Sequence, residues 1–379
     1  MDLDVIAGVP AQPPRQPALV MAVRRLVPRM SETAAELDRE AAFPHDIIAE
    51  LAACGALAAP FPARIGGLGL GTEASGVACL TDVLRQLGRG NMAVGRLYEA
   101  HVNAVRLLVA FGTSAQIERA FADAQQNMLF GLWVTDANDD PLRAGADGLL
   151  DGRKSFCSGA GNIGRAIATV RDHSGETRLA YLCTETAAAL PATLHLQGMR
   201  AATTGAISFV GQRITEDDWI GEPGDYLKEP LFSAGAWRTS AVTCGGLESL
   251  VGATLVQLKL RGRATDPHQQ ERFGRLWIAQ QTAQFWLERA ALVTEANPDG
   301  AEGAEIVATV NFARIAIETA CLDALTLVQR SLGLGAFIAG TPVERIMRDL
   351  ATYLRQPAPD EALTEAAAHI IDTRTEWGP

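Results

Sequence analysis

The sequence predicts an α+β protein with an N-terminal helical domain, a middle antiparallel β domain and a C-terminal four-helix bundle. Three observations predict it. Apolar residues recur at helical spacing before residue 127, alternation and turn pairs dominate from Asn127 to Tyr226, and the helical period then returns and stays. The boundaries fall at 1–17 for a loose Pro-rich arm, 18–126 for the first helical domain, 127–226 for the β domain and 227–379 for the bundle. A chain of 379 residues is long enough for two or three domains with a large core.

The first domain reads as a succession of helices. Ala18 to Cys54 has a helical pattern that restarts at Pro44, a residue suited to a first helical turn, and that ends at Gly55. The segment Arg64–Gly71 (RIGGLGLG) is a flexible turn, either a tight connection between helices or a place where backbone approaches something bound. Helices are expected over Glu73–Leu87, Val94–Ala110 and Ser114–Ala124, with Arg89-Gly90-Asn91 between the first two.

The β domain opens on the strand-length apolar run Met128–Thr135 and carries turn pairs at Asp147-Gly148 and Asp151-Gly152. Inside it, Gly159-x-Gly161-x-x-Gly164 matches the dinucleotide fingerprint letter for letter. That fingerprint needs a helix after the glycines, because the pyrophosphate sits on the helix N-terminus. Here Ala166–Asp172 and Arg178–Thr184 follow, two β-forming runs around a turn at His173–Glu176, so a hairpin is expected. Gly69-x-Gly71-x-x-Ala74 fails the same test, since Pro60 and Pro62 break the segment before it.

In the last domain, Ala234–Arg261 and Gln269–Glu295 read as long helices. Ile306, Val310, Ala313, Ile317, Cys321, Ala324 and Val328 make one apolar stripe. Gly333-Leu334-Gly335 breaks the pattern, Pro342 opens a last pair of helices, and Gln356–Pro359 separates them.

A net charge of −11 argues against nucleic acid and anionic membrane surfaces as partners. The six cysteines stand singly, none in a CxxC, so neither zinc nor a disulfide framework is expected. No histidine has metal-ligand spacing. The acids in Met1-Asp2-Leu3-Asp4 stand where a signal peptide needs bases, and no apolar run approaches membrane-spanning length, so a cytoplasmic protein is expected.

Several phrases in this order carry a family likeness: Pro62–Gly71, Leu132–Asp136 (LWVTD), Leu150–Gly159 (LDGRKSFCSG), Leu196–Arg200 (LQGMR) and Pro342–Asp349 (PVERIMRD). With the α–β–α order, the chain resembles the acyl-CoA dehydrogenase family over nearly its whole length. The resemblance implies one FAD per subunit, between the β domain and the bundle, in a homotetramer or homodimer acting on a small molecule such as a CoA thioester. By position, Leu132, Val134 and Thr135 would line the flavin ring from one strand, and Phe156, Cys157 and Ser158 from the next. The other reading of Phe156 is a core aromatic. The pyrophosphate and adenine would be held by Arg261 or Arg263 and by Gln329, Arg330 and Gly333 of a neighbouring subunit. The family's Arg-x-x-Phe-Gly connection is altered here, because Gln270 precedes Phe273-Gly274 where the Arg is usual, and Arg330 stands where a Gln is usual.

The family's catalytic carboxylate is missing. Its common position falls on Pro357 and its second position on Trp237, beside Arg238; neither accepts a proton. Substitutes are Asp360 and Glu361 beyond the Pro-Ala-Pro turn and, on the early helix, Glu99 and His101, with Tyr98 and Arg96 as substrate contacts. Tyr98 and His101, three residues apart, share a helix face. The alternative for His101 is a satisfied structural residue. Three functions follow: a FAD-dependent oxidation of an acyl thioester with a relocated base; a reduced-flavin monooxygenase, for which His101 or Ser158 would be the hydrogen-bonding group that oxygen activation needs; or a scaffold that binds flavin without catalysis.

Overall fold

The computed structural model describes residues 15–190, 194–296 and 302–374. Five helices come first: α1 (Arg15–Glu40), α2 (His45–Ala53), α3 (Val77–Gly90), α4 (Met92–Phe111) and α5 (Ser114–Gln125). Helix α1 already contains Arg15, Gln16 and Pro17, which corrects the expected arm at its inner end; residues 1–14 of that arm lie outside the described residues. Leu19, Val23, Met30 and Ala34 form its buried face. The Asn91 side chain caps α4 by accepting from Ala93 N–H at 3.0 Å, and Thr113 with Gln116 makes a capping box on α5. The Gly-rich turn is a tight connection. A Cβ on Gly67 would lie 1.9 Å from the Phe61 carbonyl oxygen, so only glycine lets the chain close on itself there.

The β region holds two sheets. In the larger, β3 (Leu150–Asp151), β2 (Arg143–Ala144), β5 (Arg165–Arg171), β6 (Thr177–Cys183) and β9 (Trp219–Ile220) lie in that order, and β1 (Phe130–Trp133) also pairs with β5. The smaller is β4 (Arg153–Cys157), β8 (Gly205–Ser208) and β7 (Ala188–Ala189). Strands β5 and β6 form the expected hairpin after Gly164, antiparallel from Arg165↔Cys183 to Arg171↔Thr177, so the GxGxxG letters have no dinucleotide context. Antiparallel pairing, expected throughout, is broken among the named strands of the described residues where β1 and β2 run parallel to β5. Residues 134–142 carry the chain onward from β1 to β2 along β5, and the stretch from β2 to Arg165 returns it to the start of β5, the crossover a parallel neighbour requires.

The sheets are joined by Lys154, which is fully buried. Its ammonium donates to Asp136 Oδ1 at 2.6 Å and to Thr169 Oγ1 at 2.8 Å. Burial lowers its pKa, and the Asp136 carboxylate opposes that shift. The pairing fixes β4 against the end of β1, where the segment following Leu132 meets the segment carrying Phe156.

The C-terminal helices are α6 (Leu231–Ala234), α7 (Ala236–Leu260), α8 (Pro267–Ala296), α9 (Gly303–Leu332), α10 (Pro342–Tyr353) and α11 (Pro359–Thr373). The small residues of α7 bring it against α3: a Cβ on Gly245 would lie 2.1 Å from the Arg85 carbonyl oxygen. All seven residues of the predicted α9 stripe are buried. Leu231–Leu260 holds a stretch that by length and composition alone could cross a membrane, where the sequence reading expected none, but 61% of that stretch is buried inside the protein. A helix apolar on most sides suits the middle of a bundle.

Candidate active site

A cavity of about 560 Å³ opens where α4, the end of β1, the start of α7, the middle of α9 and the break between α10 and α11 meet. Its sides are apolar, from Leu107, Leu132, Leu231, Phe232, Ile317 and Leu354. Polar side chains of α4 and α7 close one end. Glu99, Asn103 and Arg106 line it at positions i, i+4 and i+7 of α4, one face of a helix, and Arg238 and Thr239 face them from α7. A site of this size, apolar with a few convergent polar groups, suits a small organic ligand.

The polar end is one connected network. Glu99 is buried; one oxygen accepts from Arg96, the other from Asn103 Nδ2 and from Thr239 Oγ1 at 3.3 Å. Arg238, 1% exposed, donates to Asn103 Oδ1 at 3.0 Å and to Glu295 Oε1 at 2.9 Å. Trp237 Nε1–H reaches the same Glu295 oxygen at 3.2 Å, and Arg106 donates to the other at 2.9 Å. Burial pushes the Glu295 pKa up, but the two arginines more than reverse that and hold it below the usual carboxylate range. Burial, with Arg106 alongside, pulls Arg238 down to about 10 against the pull of Glu295. The network therefore holds three guanidinium groups and two carboxylates.

Of the candidate bases, Glu99 lines the cavity and Glu361 stands at its exposed rim. His101 is corrected to a structural role. It is fully buried behind α4, its Nδ1 accepts the Phe130 N–H at 3.0 Å, and its Nε2–H therefore donates to the Leu57 carbonyl at 2.8 Å. With both nitrogens used and burial lowering its pKa to about 4, it holds neutral at the junction of the Leu57 segment with β1. Tyr98 is corrected likewise: it is fully buried and its hydroxyl donates to the Ala56 carbonyl at 2.9 Å, so it touches no substrate in the cavity. Asp360 is exposed at the start of α11 and is not in the lining; Glu361 and Glu365 occupy the rim instead. Arg96 stays at the site through its ion pair with Glu99.

The predicted flavin contacts divide into two groups. Leu132 lines the cavity, and the neighbouring segment carries Val134 and an exposed Thr135, whose carbonyl accepts from Ser155 N–H at 2.9 Å. Beside it Phe156 is 55% exposed, with φ of 53° at the bulge where β4 leaves its register with β8. An open aromatic in a strained backbone position is not a core residue; the flat face it offers, next to a threonine, fits a planar ring with a polar rim. Cys157 is buried and Ser158 nearly so, and the Ser158 carbonyl accepts from Trp133 Nε1–H at 3.1 Å, so these two anchor the bulge. The second group does not line the cavity. Arg261, at the far end of α7 from Thr239 and so about 30 Å along the helix, donates to the Leu332 carbonyl at 3.1 Å. Arg263 pairs with Asp266, and Gln329, Arg330 and Gly333 lie at the end of α9.

Residues 13–125 match the family Acyl-CoA dehydrogenase, N-terminal domain. Butyryl-CoA dehydrogenase from Megasphaera elsdenii superposes on 98% of this chain and 100% of its own, with a TM-score of 0.80 at 17% identity. The chain has the acyl-CoA dehydrogenase fold. The same fold is found in dibenzothiophene monooxygenase (TdsC) from Paenibacillus sp. A11-2, with a TM-score of 0.83 at 16% identity over 94% of this chain and 97% of that one. In sequence, the chain is 22% identical over 400 residues to the Pseudomonas putida protein named probable FMNH2-dependent monooxygenase SfnC, covering 97% of this chain and 98% of that one. Proteins sharing the acyl-CoA dehydrogenase fold thus include oxidoreductases of two kinds, and the missing carboxylate bears on which kind this cavity serves. Pro357 lines the cavity at the position where the resemblance places that carboxylate, and Trp237 is buried on Glu295.

Sequence reading missed Asn103, Arg106, Thr239, Glu295 and Tyr353. Asn103 and Arg106 had a signal, a polar stripe continuing from Glu99 along an otherwise apolar helix. Glu295 had none, since its partners Arg106 and Arg238 lie 189 and 57 residues away.

Proposed function

We propose that the protein is a flavin-dependent monooxygenase supplied with reduced FMN, acting on a small, largely apolar substrate in the 560 Å³ cavity. The observation that carries the reading is the state of the cavity's carboxylates. Abstraction of an α-proton needs a desolvated carboxylate with a free oxygen turned to the substrate. Glu99 has both oxygens engaged by Arg96, Asn103 and Thr239. Glu318 is tied to Arg355 and Glu229 to Ser233, while Glu361 and Glu365 stand exposed at the rim. Oxygen transfer has no need of such a base. When bound and reduced, the flavin gives two electrons to dioxygen, one oxygen atom passing to the substrate and the other leaving as water.

Around that chemistry the protein's own residues bind and exclude. Phe156 and Thr135 offer the face for the ring, Leu132 would lie between that face and the cavity as a shared apolar wall, and the apolar sides hold the substrate away from bulk water. FMN is favoured over FAD because Gln270 replaces the arginine expected to hold the pyrophosphate, and Arg261 is spent on the Leu332 carbonyl. The whole-length likeness to an FMNH2-dependent monooxygenase supports the same choice. Exposed apolar residues on α8, among them Trp277, Ile278 and Phe285, support assembly into a dimer or tetramer, and six free cysteines support a reducing, cytoplasmic setting.

A second reading retains acyl-thioester oxidation with Glu99 as relocated base, because Glu99 is a buried carboxylate in the cavity wall. One pair of assays separates them. The purified protein with FMN, a flavin reductase, NADH and air should convert members of a panel of aromatic and sulfur-containing compounds to products one oxygen heavier. The FAD-loaded protein, mixed anaerobically with a series of acyl-CoA thioesters, should keep its oxidised spectrum. Bleaching by any thioester, without oxygenated product from any compound, would establish the second reading instead.

A further inference from the structure

Among the described residues, three cavity-lining side chains carry a buried hydrogen-bonding atom with no partner: Arg238 at Nε, Arg314 at Nε and Tyr353 at its hydroxyl. Buried polar atoms are otherwise nearly always paired, so three on one cavity require an explanation. All three are donors, and the arginines are donors only. Arg238 and Tyr353 are 1% and 6% exposed, so water does not satisfy them freely. Thr239 and Arg96 stand beside the Tyr353 oxygen as poorly aligned donors that favour its ionised form, so it is the hydroxyl's own hydrogen that has no acceptor.

The local charge points the same way. The end of the cavity holds Arg96, Arg106 and Arg238 against Glu99 and Glu295, one positive charge in excess. Arg314 adds another from α9, bonded only to the Pro357 carbonyl. The acids facing it do not cancel this: Glu318 is neutralised by Arg355, and Glu229, Glu361 and Glu365 sit in solvent, where screening is strong. Surplus positive charge and unpaired donors, next to apolar walls, recognise an acceptor-only, negatively charged group.

We infer that the cavity seats an oxyanion-bearing ligand, a carboxylate or a sulfur oxyanion on an apolar body, with the anionic head on Arg238 and Tyr353 and Arg314 reinforcing it from α9. This rests on the cavity being the substrate site proposed above, and it narrows the substrate to an organic acid. A neutral thioether or arene fills the walls but leaves the donors unpaired, and a site built to bond a polar group rejects the analogue that lacks it.

The test is calorimetric binding to the full chain, with oxidised FMN present and absent, using hexanoate, hexanesulfonate and the neutral hexanamide as probes. At least one anion should bind ten-fold or more tightly than the amide, and the two anions tell carboxylate from sulfonate. Tyr353→Phe removes a hydroxyl held only by poorly aligned contacts with Thr239 and Arg96, so it should fold normally and weaken anion binding about five- to ten-fold while leaving the amide unchanged. Arg238→Gln should abolish the preference; if that variant does not fold, the Tyr353→Phe result decides. Equal binding of anions and amide, no binding of any anion at millimolar concentration, or a Tyr353→Phe protein with the wild-type preference would each overturn the inference. Anion preference without oxygenated product would leave the seat standing and remove only the monooxygenase reading.

Discussion

Replacing Glu295 by Gln tests whether the polar end of the cavity is a tied network or a set of independent contacts. The carboxylate is the shared counter-ion of Arg238 and Arg106 and also accepts from Trp237, with bonds of 2.9, 2.9 and 3.2 Å. The amide keeps the volume but removes the charge, leaving Arg238, 1% exposed, and Arg106 with only Glu99, already paired to Arg96, as a nearby acid. Breaking one side of a buried pair in this way costs ~3–5 kcal/mol, most of it the penalty of an uncompensated charge. Urea denaturation of Glu295→Gln should show a loss of that size. The double variant Arg238→Met/Glu295→Leu should recover more than half of it, because a buried pair can often be exchanged for apolar residues at small cost. A loss below about 1 kcal/mol in Glu295→Gln, or a double variant no more stable than the sum of the single losses, would refute the network.

The remaining predictions concern single residues. His101 has a folded pKa near 4, below its unfolded value. Its neutral form is the one the fold favours, so its contribution is fully present above ~6.5 and is lost as pH falls toward the folded value. That depression corresponds to roughly 3 kcal/mol, which His101→Gln should remove from the pH dependence of unfolding between pH 7 and 4 while leaving catalysis nearly intact. Burial pushes the Cys157 thiol up to about 12, so a maleimide at pH 8 should label Cys54 or Cys183, both partly accessible, well before Cys157, as peptide mass mapping would report. Phe156→Ala should weaken FMN binding roughly ten-fold by loss of ring contact with an unchanged melting temperature, because the side chain is 55% exposed in the free protein.

Helices whose burial follows one local period were readable in advance. The α9 stripe from Ile306 to Val328 is the core face it looked like, and the hairpin after Gly164 follows from turn residues between two β-forming runs. The parallel placement of β1 on β5 was not readable, because pairing direction depends on where the chain returns and not on alternation within a strand. At the site, Glu99 and Leu132 were found by position. His101 and Tyr98 were overread because a polar residue on an apolar helix looks the same whether its partner is a substrate or a backbone carbonyl. Their partners, Leu57 and Ala56, come from a turn more than forty residues away, which only the fold brings near. Glu295 was invisible for the same reason: nothing local distinguishes it from the exposed acids of α8.

The most direct measurement of the central claim is the mass of the product formed under ¹⁸O-labelled dioxygen by the protein, FMN and a flavin reductase with an organic acid that the cavity binds. Incorporation of one labelled atom into the product is the expected result. An unlabelled, two-hydrogen-lighter product that forms equally well without oxygen would contradict it and return the cavity to dehydrogenation.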